Sequence, residues 1–283
     1  VTTDSAPATL PDETRLGRTA LGVGDPERLT EFYGRVVGLE VLARDDESTT
    51  LGVGETPLLV LEAAPEAPER PRSAAGLYHN AFRVPSRAAL GDALRRVRER
   101  WRLDGASDHG VSEALYLTDP EGNGVEIYRD YPREEWPAGD DTAVRMTTDP
   151  LDVEGVAAAA GGGEGAPPGT DLGHVHLEVT SLAAFEDVFV DGLGFDVQAT
   201  VPRARFVGAG GYHHHVGANT WQGRTDPASG RGLAWFEVVV PEPEDLETVR
   251  ERLSGRDVSV AETDEGFEVT DTDGVRVRLR SAD

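Results

Sequence analysis

The seven histidines of this 283-residue chain fall in four short places: His79, His109, His174 with His176, and His213-His214-His215. A lone histidine is usually a surface group or a satisfied core group, so position has to carry the argument. Strand alternation puts His174 and His176 on one face, and His213 and His215 on one face with His214 opposite. A carboxylate that could join them lies in Asp119-Pro120-Glu121-Gly122-Asn123-Gly124-Val125-Glu126-Ile127-Tyr128. There a turn feeds a strand whose Val125 and Ile127 face a core, leaving Glu126 and Tyr128 on the other face. A glutamate at mid-strand is normally either solvent-exposed or metal-bound. His79, His174 and Glu126 together make two imidazoles and one carboxylate, which leaves about three positions open on a divalent first-row metal. That is the facial set of non-haem Fe(II) oxygenases, although ligand identity alone also allows Mn, Co, Ni or Zn.

Internal repeats position these residues. Four segments start on Gly or Leu-Gly and run into a short strand, beginning at Leu16, Gly76, Leu172 and Gly232. In register, Arg18, His79, His174 and Trp235 take one equivalent place, and two histidines there are more than random placement would supply. Each strand is followed by a helix of about three turns: Asp25-Pro26-Glu27 and Ser181 read as helix starts, Gly38 and Gly194 as exits. Short alternating strands follow every helix, so the unit is β-α-β-β-β. The place of Glu126 is taken in the fourth unit by Arg278, so only the second carries the acid. From 132 to 170, Ala157 to Ala160, Gly161 to Gly163 and Pro167-Pro168 mark a surface linker. The expected division is a first domain over 14–131 and a second over 171–281, an α+β chain of four βαβββ modules in two paired cup-shaped barrels.

Composition removes several function classes. Against 52 acidic residues stand 27 cations, every one an arginine, for a net charge of −25. Such a field repels nucleic acid and anionic lipid. With no cysteine there are no disulfides, thiolate metal sites or cysteine nucleophiles. No stretch approaches the ~18 apolar residues of a membrane span, and the start of the chain has no signal-type apolar run. A cytoplasmic protein is expected, its acidic surface suited to concentrated salt. A homo-oligomer is compatible with the sequence.

At this point the sequence resembles the vicinal oxygen chelate superfamily, which includes glyoxalase I, bleomycin-resistance proteins and type I extradiol dioxygenases. Within it the chain looks like the catechol 2,3-dioxygenase group, from Leu16 to Leu279. Phe32-Tyr33…Gly38-Leu39 and Asp119-Pro120…Glu126 are generic signals; Gly211-Tyr212-His213-His214-His215, Ser107-Asp108-His109-Gly110 and Tyr116 are more specific. The family's elements are all present, but in permuted order. The first metal histidine, His174, comes from the third module, whereas His79 and Glu126 come from the second. Modules two and three are therefore expected to form the metal cup, leaving modules one and four, with Arg18, Trp235 and Arg278, as a metal-free half.

The resemblance implies extradiol cleavage of a catechol by O₂ to a 2-hydroxymuconic semialdehyde, with Fe(II) as cofactor and Mn(II) as the alternative. It implies His215 as the acid–base group, with His213 as fallback, and His109 and Tyr116 as hydrogen-bond donors to substrate oxygens. His176, Trp221 and Asn219 are candidate pocket walls. A glyoxalase-like isomerase would need a four-ligand site with a second strand-borne acid, and a binding protein would need no ordered histidine set.

Overall fold

The computed structural model describes residues 9–139 and 144–282. The first module runs through β1 (Arg15–Val23), α1 (Pro26–Phe32), β2 (Glu40–Arg44), β3 (Ser48–Val53) and β4 (Thr56–Ala63). The second has β5 (Gly76–Arg83), α2 (Arg87–Arg100), β6 (Gly105–Asp108), β7 (Ser112–Thr118) and β8 (Gly124–Asp130). After β9 (Asp149–Pro150) and α3 (Val153–Ala158) comes the third, with β10 (Asp171–Glu178), α4 (Leu182–Glu186), β11 (Asp196–Val201), β12 (Ala204–Gly208) and β13 (Val216–Asn219). The fourth is β14 (Gly232–Val240), α5 (Pro243–Leu253), β15 (Ser259–Thr263), β16 (Gly266–Thr270) and β17 (Arg276–Ser281).

Local chemistry fixes the helix ends. The Asp25 carboxylate accepts from the Arg28 N–H at 3.0 Å to start α1, and Ser86 and Ser181 cap α2 and α4 in the same way. α1 and α4 each run on into a π-helical turn, closed by Gly38 (φ 97°) and Gly194 (φ 94°), where only glycine takes the left-handed conformation without strain.

Two curled sheets result. One has the order β15-β16-β17-β14-β1-β4-β3-β2, the other β11-β12-β13-β10-β5-β8-β7-β6-β9. Each takes one module from either side of the 132–170 segment: the first and fourth share a sheet, and so do the second and third. Opening strands meet antiparallel at the centre (β1 with β14, β5 with β10), and each pairs in parallel with the last strand of its own module. The two halves of a sheet are thus related by an approximate twofold between the opening strands. One continuous apolar core lies between the sheets and their helices, with Phe82, Phe189, Phe236 and Phe267 fully buried. Arg96 of α2 is also buried and donates to the carbonyls of Val36, Val37 and Gly165, pinning the second module to the exit of the first helix.

The 132–170 segment is more ordered than its composition suggests. β9 pairs with β6, and α3 packs on α2 with Val156 buried. A Cβ on Gly91 of α2 would lie 2.5 Å from the Val156 carbonyl, so the small residue lets the two backbones touch. Ala and Gly serve here as contact surface between helices, a use that composition does not distinguish from a linker. No helix among the described residues is long and apolar enough to cross a membrane.

Candidate metal centre

His79, His174 and Glu126 project from the three central strands of the nine-stranded sheet and meet in its cup. The parallel register sets Glu126 beside Ala81, and the antiparallel register sets His174 opposite Ala81, so the small alanine leaves both side chains room to converge. His79 Nε2 and His174 Nε2 lie 3.0 and 3.1 Å from Glu126 Oε2, and 3.3 Å from each other. All three are buried, at 6%, 2% and 2% exposure for His79, His174 and Glu126. No second such trio occurs among the described residues.

Protons alone satisfy this arrangement poorly. Three ligand-type atoms, two imidazole nitrogens and a carboxylate oxygen, converge on one point, and His174 Nδ1 is buried without a hydrogen-bond partner. Burial pushes His174 down to about 4, leaving a neutral imidazole. Burial opposes the charge on Glu126, but the two imidazoles outweigh it and hold the carboxyl well below its usual range. A carboxylate and neutral imidazoles are the protonation states a divalent cation requires, and the His₂Glu donor set suits a borderline first-row ion.

A cavity of about 290 Å³ opens above the trio. On one side Tyr116 and His109 form a linked pair. His109 Nδ1 lies 2.6 Å from the Thr147 carbonyl, which can only accept, so that nitrogen carries the proton; Nε2 then accepts from the Tyr116 hydroxyl, also at 2.6 Å. Burial, then the nearby Glu126 charge, pushes the Tyr116 phenol well above its ordinary range and keeps it a donor. Tyr78 and Trp221 stand edge-on at 5.7 Å near the mouth, with His176 beside both.

The histidine run faces otherwise than strand alternation predicts, so His215 and His213 do not line the cavity. The middle residue, His214, lines the cavity, its ring centre 4.1 Å from that of His174. His215 lies on the far side of the backbone, accepting from the Ala209 N–H through Nδ1 and packed against Phe195 and Tyr212. His213, the fallback, is fully buried behind the cavity and bonds Asp130 and His214. The cause is local: Gly210 and Gly211 both take positive φ, the Tyr212 N–H returns to the Ala209 carbonyl, and β13 begins only at Val216, so the run is a turn and its facing cannot be extrapolated from the strand. Asn219, expected in the wall, stands behind it: its amide donates to His176 Nε2, and its oxygen accepts from the Trp221 N–H. His176 and Trp221 do line the cavity.

Met146, Thr147 and Thr148, from the segment read as a linker, complete the wall together with Val201 and Phe206. In the eight-stranded sheet the equivalent places are closed. Arg278 stacks 3.9 Å over the Trp235 ring, and Arg18 pairs with Glu237.

Comparison with known proteins agrees with this architecture. The profile of the Glyoxalase/Bleomycin resistance protein/Dioxygenase superfamily matches residues 15–127. A catechol-2,3-dioxygenase of Bacillus subtilis (strain 168) is 40% identical over 269 residues, covering 92% of this chain and 94% of the relative. A biphenyl-2,3-diol 1,2-dioxygenase 3 of Rhodococcus globerulus is 30% identical over 120 residues, 41% of this chain and 63% of that one. Among solved structures, glyoxalase I from Zea mays shares the fold at TM-score 0.59 and 16% identity, over 94% of this chain and 92% of its own. The chain therefore belongs to the glyoxalase/bleomycin resistance protein/dioxygenase superfamily.

Proposed function

We propose that this chain is an extradiol dioxygenase that cleaves a catechol beside one hydroxyl, both atoms of O₂ entering a 2-hydroxymuconic semialdehyde. The observation that carries this reading is the His79–His174–Glu126 trio, the only such group among the described residues, beneath a cavity that also holds His214 and the His109–Tyr116 pair. A non-haem Fe(II), with Mn(II) as the alternative, would supply the electron-transfer chemistry between a catechol and O₂. His79, His174 and Glu126 would hold it. The working unit is then the second and third modules, with the first and fourth as a scaffold.

The remaining steps belong to side chains. His214 takes the proton of a catechol hydroxyl and returns one later in turnover; burial and its histidine neighbours keep its imidazole neutral and able to accept. Tyr116, held at its place by His109, turns its hydroxyl from His109 Nε2 to the substrate and donates to oxygen developing negative charge on the ring-derived product; His109 Nδ1 keeps its proton on the Thr147 carbonyl. Tyr78, Phe206 and Trp221 hold the ring and exclude water. No arginine lines the cavity among the described residues, which favours a catechol without an anionic substituent. Its acid-rich surface suits the enzyme to the cytoplasm of a cell rich in salt.

Anaerobic loading with Fe(II), then addition of catechol and air-saturated buffer, tests the reading. The expected result is stoichiometric oxygen uptake with a yellow ring-fission product. Metal retention with no oxygen consumption on any neutral catechol would overturn it.

A further inference from the structure

Behind the cavity wall a line of hydrogen bonds runs away from His214. Its Nδ1 lies 2.8 Å from His213 Nδ1; His213 Nε2 lies 2.9 Å from Asp130 Oδ1. The other Asp130 oxygen accepts from the Arg83 guanidinium and the Tyr212 hydroxyl, each at 3.1 Å, and Tyr128 bonds the Tyr212 hydroxyl at 2.7 Å. All of these residues lie at or behind the wall, and only His214 reaches the cavity.

The bonding partners dictate where each proton sits. A carboxylate only accepts, so His213 Nε2 carries a hydrogen, and a neutral imidazole then has its lone pair at Nδ1. In that singly protonated form the lone pair faces His214 Nδ1, and His214 is the donor. His214 is left with a bare Nε2, for which no partner occurs among the described residues. We propose that Asp130 and His213 are positioning residues that fix His214 as the Nδ1–H tautomer, so that its lone pair is aimed into the cavity as a base. Only the use of that lone pair rests on the dioxygenase reading; the tautomer itself is independent of turnover.

Arginine makes one substitution diagnostic. In Asp130→Asn the amide oxygen must stay on the side of Arg83, which offers only donors, so the NH₂ group faces His213 Nε2. His213 then shifts its proton to Nδ1 and donates to His214 Nδ1, and the His214 proton moves to Nε2, where it blocks the base.

The experiment is a two-bond nitrogen–proton correlation spectrum of histidine-labelled protein in the diamagnetic Zn(II) form, with His214 assigned from His214→Gln. Wild type should show His214 as Nδ1–H, and Asp130→Asn should show it as Nε2–H. In the Fe(II) form the same variant should lose about 10²-fold in kcat, with metal content and KM for catechol held within about twofold. An Nε2–H tautomer of His214 in wild type would overturn the proposal, and that spectrum decides the point even where the variant fails to fold. An unchanged tautomer in a folded Asp130→Asn would overturn it too. Absence of activity alongside the expected tautomers would instead count against the dioxygenase reading.

Discussion

Glu126 and Gly217 hold the same place in the two modules of the nine-stranded sheet. Glu126 sits beside Ala81 in the β5–β8 ladder, and Gly217 beside His176 in the β10–β13 ladder. A Cβ on Gly217 would come within 3.0 Å of the His176 ring, so that imidazole fills the space where a second strand-borne acid would stand. Gly217 supplies no carboxylate there, so the trio lacks the second strand-borne acid that a four-ligand site of the isomerase type needs.

From this asymmetry we expect one divalent ion per chain. His79→Ala, His174→Ala and Glu126→Ala should each lose metal on gel filtration, as measured by elemental analysis. Arg18→Ala and Trp235→Ala, changed at the equivalent places of the other sheet, should keep a full equivalent. Metal retained by His174→Ala would show that the third module contributes no ligand.

The histidine run makes a second, sharper test. His214→Ala should lose on the order of 10²–10⁴-fold in kcat, the usual contribution of an acid–base group. His215→Ala should keep most of its kcat and lose stability instead, because it removes an acceptor from the Ala209 N–H and a ring packed on Phe195. Steady-state rates and thermal midpoints of the two variants separate the roles. A dead His215→Ala with an active His214→Ala would reverse the assignment.

What was legible in the sequence was whatever strand and helix periodicity controls. Equivalent opening strands gave His79 and His174 the same place, and the turn ahead of Glu126 fixed its face; the register of β5, β8 and β10 turns those local facts into a trio. The facing of His213, His214 and His215 was not legible, because two glycines with positive φ rotate the chain just before β13. Nor was the role of residues 144–158. Helix α3 is six residues long and held by tertiary contact through Val156, and Met146 to Thr148 reach the cavity because β9 pairs with β6, a pairing of only two residues. Short elements held by packing leave no period to read.

Cavity polarity predicts substrate charge. The wall offers the hydroxyls of Ser107, Ser112, Thr147 and Thr148 and apolar groups from Met146, Val201 and Phe206, with the Glu126 carboxylate at its base. A carboxylated catechol would bury its charge without a cationic partner, at a cost of several kcal/mol. We expect kcat/KM for catechol and methylcatechols to exceed that for 3,4-dihydroxyphenylacetate by about 10²-fold or more. Equal values would mean that the ring binds with its substituent outside this cavity.

The half without the trio contains a half-buried carboxyl whose titration sets a pH dependence separable from catalysis. Asp271 accepts from the Val275 N–H at 2.8 Å, and burial followed by the neighbouring Asp273 pushes its carboxyl up to about 7. An unfolded aspartate titrates near ~3.9. Because the folded value is the higher one, the native state binds the proton more tightly; stability from this group is present at pH 4, declines as pH rises through 7, and is lost above it. Asp271→Asn keeps the acceptor for Val275 and carries no charge at any pH. Its thermal midpoint should therefore exceed that of wild type at pH 8 by several degrees, equivalent to roughly 4 kcal/mol at most, and the gap should shrink between pH 7 and pH 5. Oxygen uptake should be unaffected, since Asp271 lies in the sheet without the metal centre. A gap that stayed constant from pH 5 to pH 8 would show that the carboxyl titrates alike in the folded and unfolded chains.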